Sequence, residues 1–136
     1  HTIGHSVGAV CHVPHGNCMA ILLPYVLEYN FDKIESLLAE LLSALAGTET
    51  AAQTPAEMRA RLAIETIRNL NSILKTKTGG RHPERFSDIV NRNGDNLVKK
   101  DDFSRIAETA MGDASIVYNP KEFYIDDVLG VLEKSF

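Results

Sequence analysis

The sequence of 136 residues predicts an all-α fold, a helical bundle, on three observations. Apolar residues recur at three- and four-residue spacing in several separate segments. No segment sustains the alternation of a half-buried strand. The interruptions fall at glycine, proline and asparagine, the residues that end helices.

Residues 1–10, HTIGHSVGAV, read as the end of a helix, weakened by Gly4 and Gly8. Pro14 suits the first turn of a second helix, whose body runs from about His15 to Glu28. Pro24 inside it lacks an N–H and crowds the preceding turn, which predicts a kink or an early stop. Asp32-Lys33-Ile34-Glu35 pairs a capping acceptor with a glutamate three residues on. Ile34, Leu37, Leu38, Leu41, Leu42 and Leu45 then share one helical face as far as Gly47.

Thr54-Pro55-Ala56-Glu57 is a second start signal, with a threonine cap, proline at the first helical position and glutamate closing the box. Ala63, Ile67, Leu70 and Leu74 supply its stripe. KTKTGGRHP (75–83) is the clearest break, with a short helix expected near 84–92. Phe103, Ile106, Ala107 and Ala110 share a face in a helix over 102–111. Asn119-Pro120 ends a loop, and Ile125, Val128, Leu129 and Leu132 mark a terminal helix.

Bulk properties narrow the function. The chain reads as one domain, 1–136, long enough to bury roughly two thirds of its unfolded surface. Net charge is −4 and no basic cluster exceeds Lys99-Lys100, which argues against nucleic acid or an anionic membrane as partner. The longest uncharged run, Thr2 to Leu27, holds His5, His12, Pro14, His15, Asn17 and Pro24. It is too polar and broken to span a bilayer, and it lacks the basic start of a signal peptide. Two cysteines make no disulfide framework, so a reducing cytoplasm is the expected location. Opening on His1, inside a helix, reads as a piece of something longer.

Four of the five histidines and both cysteines lie within the first eighteen residues. Imidazole is the commonest protein ligand for zinc and iron(II). His1 and His5, four apart, project from one helical face, and His15 follows a turn that would return it opposite them. Gly8 and Gly16 would let the backbones turn or approach closely. HTIGH lacks the glutamate of HExxH, so no general base is built in and a zinc-protease reading fails. CHVPHGNC offers an alternative: a structural zinc held by Cys11, His12, His15 and Cys18, although that spacing matches no common finger. The plainest reading makes Cys11 and Cys18 small buried apolar residues.

HTIGHSVGAVCHVPHGNCMAILLPYVLEYN closely resembles the signature of the iron-containing (group III) alcohol dehydrogenases at His1, His5, Gly8, Pro14-His15-Gly16, Leu23-Pro24 and Asn30. YNPKEFYIDDVLGVLEKSF resembles that family's closing segment. The resemblance implies the C-terminal, metal-binding helical domain of a dehydroquinate synthase-like fold, downstream of a nucleotide-binding α/β domain. It makes His1 and His15 the metal ligands, completed by an Asp and a His from an earlier helix. It sets His5 beside the nicotinamide and substrate as the residue assisting proton exchange.

The implied cofactors are Fe(II), or Zn in some relatives, and NAD(P). The implied partners are a small alcohol or aldehyde and further copies of the chain. No Gly-x-Gly-x-x-Gly occurs, and two histidines are too few to hold a catalytic metal tightly. The piece alone is therefore expected to bind metal weakly and to catalyse nothing. A family domain whose site has decayed into an interaction surface is the remaining alternative. His12 is expected in a loop near the site mouth, Cys18 in helix packing and His82 in solvent. Asp101, Asp102, Asp126 and Asp127 are expected to cap helices.

Overall fold

The computed structural model describes residues 1–136 as seven α-helices joined by turns and short 3-10 segments. They are α1 (Thr2–Cys11), α2 (His15–Tyr29), α3 (Phe31–Ala46), α4 (Thr48–Gln53), α5 (Arg59–Lys77), α6 (Phe103–Met111) and α7 (Ile125–Ser135). The one β feature is an isolated antiparallel bridge between Val90 and Asn96. The all-α expectation holds, and no helix is long and apolar enough to cross a membrane.

Two hydrophobic clusters organise the helices. The larger gathers 17 buried residues from α1, α2, α6, α7 and the segments that lead into α2, α6 and α7, including Val7, Ile21, Phe86, Val98, Ile106 and Leu132. The smaller has five, Leu38 and Leu42 of α3 with Ala60, Ala63 and Ile64 of α5. The face predicted for α6 is the buried one: Phe103, Ile106, Ala107 and Ala110 all point inward.

Several local expectations are corrected. Of the kink or early stop expected at Pro24, the stop does not occur: helix α2 runs on to Tyr29. The Ala20 carbonyl, which Pro24 leaves without its usual donor, accepts instead from the Asn71 side-chain amide of α5 at 2.9 Å. Asn71 is held in turn by His82, whose Nε2 lies 2.9 Å from Asn71 Oδ1. His82 is therefore half-buried and bonded rather than solvated.

Helix α3 starts at Phe31, before the expected Asp32 cap, because the Asn30 carbonyl already accepts the Lys33 and Ile34 N–H groups at 2.8 and 3.2 Å. Asn30 and Asn119 exchange amide hydrogen bonds of 2.9 and 2.8 Å, clasping the end of α2 to the loop before α7. Thr54 does not cap a helix; its hydroxyl donates back to the Thr50 carbonyl at 2.6 Å, ending α4, and α5 proper starts at Arg59. On α5 the apolar stripe is shifted, with Ala60, Ala63, Ile64 and Ile67 buried and Leu70 about half exposed. Only a 3-10 turn at Phe86–Asp88 forms where a short helix was expected.

The glycines at the ends behave as anticipated: Gly47, Gly79 and Gly80 have φ of 92°, 61° and 85°, which glycine adopts at no steric cost. Asp102 and Asp127 accept from the N–H groups of Lys99 and Tyr124, as helix-start residues should.

Candidate metal centre

The reversal between α1 and α2 builds the site. Helix α1 ends on His12, a non-glycine residue in the left-handed region (φ 58°), whose N–H still donates to the Gly8 carbonyl at 3.0 Å. Val13 turns into the core, Pro14 is extended (φ −55°, ψ 136°), and His15 is the first residue of α2. Gly4 lets the two helices close. A Cβ there would meet the Cys18 Cβ at 3.4 Å and the movable end of the Met19 side chain. Gly16, expected to serve a close approach, has open space around it instead.

This crossing brings His1, His5 and His15 together. Their ring centroids are 5.8 Å (1–5), 5.7 Å (1–15) and 5.3 Å (5–15) apart. One nitrogen from each ring lies within 4.8 Å of the other two, and all three residues are exposed. No other three histidine, cysteine or acidic residues gather so closely. Imidazole nitrogens about 2 Å from one tetrahedral zinc sit about 3.4 Å apart, a spacing that small rotations of exposed rings reach. Neutral nitrogen donors of this kind suit zinc, iron(II) and neighbouring first-row ions. The donor set therefore fits a divalent metal and leaves coordination positions open.

A carboxylate from a distant part of the chain completes the surroundings. Asp113 Oδ2 lies 3.0 Å from His5 Nδ1. The other oxygen, Oδ1, accepts the Ser115 backbone N–H at 2.8 Å. The Ser115 and Thr2 hydroxyls are 2.7 Å apart, tying this loop to the start of α1. The Ser115 N–H, and after it His5, hold the Asp113 carboxyl down to about 2. Sequence reasoning missed Asp113. The pattern Asp113-Ala114-Ser115 signals a capping turn, and nothing local marks the second oxygen for a histidine 108 positions away.

The alternative ligand set is not assembled. Cys11 and Cys18 are both buried in the larger cluster. The Cys11 thiol, 3.7 Å from Asp102 Oδ2, is pushed up to about 11 by burial and then by the Asp102 charge. Burial pushes Cys18, 3.8 Å from the Val13 carbonyl, up to about 11 as well. Neither thiol joins the only close group of possible metal ligands, which is His1, His5 and His15. His12 sits exposed in the connecting turn, outside the histidine group. Cys18 packs between helices as the plain reading expected.

Known proteins share this arrangement of helices. A family model described as "Fe-containing alcohol dehydrogenase family, C-terminal" matches residues 1–136. "Alcohol dehydrogenase 4" of Saccharomyces cerevisiae is 30% identical over 138 residues, covering 100% of this chain and 31% of that protein. "NADPH-dependent butanol dehydrogenase" of Clostridium saccharobutylicum is 28% identical, covering 98% of this chain and 31% of the relative. Among solved structures, "Alcohol dehydrogenase from Oenococcus oeni" superposes with a TM-score of 0.78 at 26% identity, over 100% of this chain and 32% of that one. The chain thus spans about a third of the length of these relatives. It belongs to the Fe-containing alcohol dehydrogenase family and corresponds to that family's C-terminal region.

Proposed function

We propose that this chain is the metal-binding part of an NAD(P)-linked alcohol dehydrogenase, in which His1 and His15 hold a divalent iron or zinc ion. The observation that carries this reading is the convergence of three imidazoles from two helices at one exposed place. The NADPH dependence in the name of the Clostridium relative supports the nicotinamide assignment. When bound, the metal supplies a Lewis acid that polarises an alcohol oxygen, and NAD(P) supplies the hydride acceptor.

The chain's own residues do the rest. His1 at the N-terminal end of α1 and His15 at the start of α2 present ring nitrogens from helices that pack together at Gly4. His5, one turn beyond His1 on α1, is the imidazole left to accept or return the hydroxyl proton. The open side of the cluster leaves room for the substrate and for ligands from the remainder of the protein. By itself the chain, with two such ligands, binds metal weakly and does not turn over alcohols. Copies of the chain associate, since Leu37 of α3 and Ile73 of α5 stay 64% and 50% exposed.

The test uses the full-length protein. His15→Ala should remove most of the bound metal and most NAD(P)-dependent alcohol oxidation, and a chelator should do the same to the unaltered enzyme. Normal metal content and turnover in His15→Ala would overturn the assignment.

A further inference from the structure

We propose that Asp113 is the positioning residue of this site: its carboxylate fixes His5 as the Nδ1–H tautomer and leaves Nε2 as the ring's free proton acceptor. The inference deepens the reading of His5 as the proton-handling group and rests on it for its purpose. Its physical content, a single tautomer set by one carboxylate, can be read without any metal or cofactor.

The geometry divides the labour of the carboxylate. As a cap for the turn Ala114–Tyr118, Asp113 needs one oxygen, and Oδ1 on the Ser115 N–H serves that. Oδ2 is spare, and it faces His5 Nδ1 at 3.0 Å. An ionised carboxylate only accepts, so the proton between them sits on Nδ1. A neutral ring that donates from Nδ1 must carry its lone pair on Nε2.

The loop that delivers Asp113 is fastened at several points. Near its start, the Ser115 hydroxyl meets Thr2, a residue only 8% exposed. Further on, Asn119 is clasped by Asn30 at the end of α2. Just before α7, the Phe123 ring stacks on Tyr29 at 4.3 Å between centroids. The carboxylate is thus tied to both helices that carry the histidines. A carboxylate on the remote nitrogen is how proteins commonly orient an imidazole and select its tautomer.

The experiment is two-bond proton–nitrogen correlation NMR on the 15N-labelled 136-residue chain, metal-free, at about pH 8.5, where imidazoles are neutral. The wild-type chain should show His5 protonated at Nδ1. Asp113→Ala should shift the tautomer ratio by about tenfold toward Nε2–H, the form a free imidazole favours. Ser115→Ala should keep the wild-type tautomer, because its backbone N–H still holds Oδ1. A wild-type His5 protonated at Nε2 would overturn the proposal. So would an unchanged ratio in Asp113→Ala with its amide spectrum intact. If Asp113→Ala fails to fold, the wild-type spectrum alone decides.

The failure of the metal-site reading looks different. Zinc binding indifferent to His1→Ala and His15→Ala would sink that reading and leave the tautomer result standing.

Discussion

The two hydrophobic clusters of this chain were built on opposite principles. The smaller, between α3 and α5, joins helices nearly adjacent in sequence and buries only Leu38 and Leu42 of the α3 leucine row. Its outer faces stay apolar: Leu37, Leu41, Leu70 and Ile73 are 42–64% exposed. The larger cluster draws the first helix against the last two, and it carries polar links of long reach, among them Thr2 to Ser115, His5 to Asp113 and Asn30 to Asn119. The site stands on the cluster of long-range contacts. A catalytic constellation needs supports that do not move with a single helix, and contacts far apart in sequence supply them.

The largest effect should separate the clusters. Phe86→Ala empties the larger core at a fully buried ring and should cost about 3–5 kcal/mol in urea unfolding. The histidine group should lose its order with it. Leu42→Ala should cost about 2–5 kcal/mol locally. Hydrogen exchange should then open α3 to α5 while the His5–Asp113 contact persists. Equal loss of order everywhere in Leu42→Ala would mean that the clusters are one cooperative unit.

Asn71→Ala probes the joint between them. It strips the donor from the Ala20 carbonyl, on the turn below Pro24, and should cost about 1–3 kcal/mol. Faster exchange should appear on both sides of Pro24 in α2. Unaltered stability would show that water replaces the amide freely.

The smallest effect is electrostatic. Asp88 accepts Lys75 at 2.9 Å together with the Glu84 and Arg85 N–H groups. Burial opposes ionisation, but the Lys75 bond and the two backbone donors outweigh it and hold its carboxyl below the usual range. Its contribution is therefore complete above the ordinary carboxylate pKa and lost as acid carries the pH down through the lowered value. The pair is part-exposed, so under about 1 kcal/mol is at stake. Acid titration of stability in Asp88→Asn should be flatter below about pH 4 than in the wild-type chain.

The same comparison explains what was legible beforehand. Periodicity located the helices, and the buried face of α6 was read correctly because Phe103, Ile106, Ala107 and Ala110 follow one spacing. The motif HTIGH followed by PHG marked three residues that the fold does bring together. Periodicity failed where tertiary bonds override local signals. Pro24 ends nothing because Asn71 satisfies the orphaned carbonyl, and the Thr54 hydroxyl turns back to Thr50. Asp113 and the Asn30–Asn119 clasp were invisible for a related reason. Their partners lie 89 to 108 residues away, beyond any local pattern. His82 looked like a solvated loop residue because its partner, Asn71, sits on another element.

Calorimetric zinc titration of the 136-residue chain, set beside His1→Ala, His15→Ala and Cys18→Ala, examines the heart of the matter. If rings one and fifteen grip a common cation, binding should be weak and of one-to-one stoichiometry. Either histidine change should then reduce affinity at least tenfold, while Cys18→Ala should leave it within about twofold. Affinity that survives both histidine changes, or that collapses with the cysteine, would contradict it.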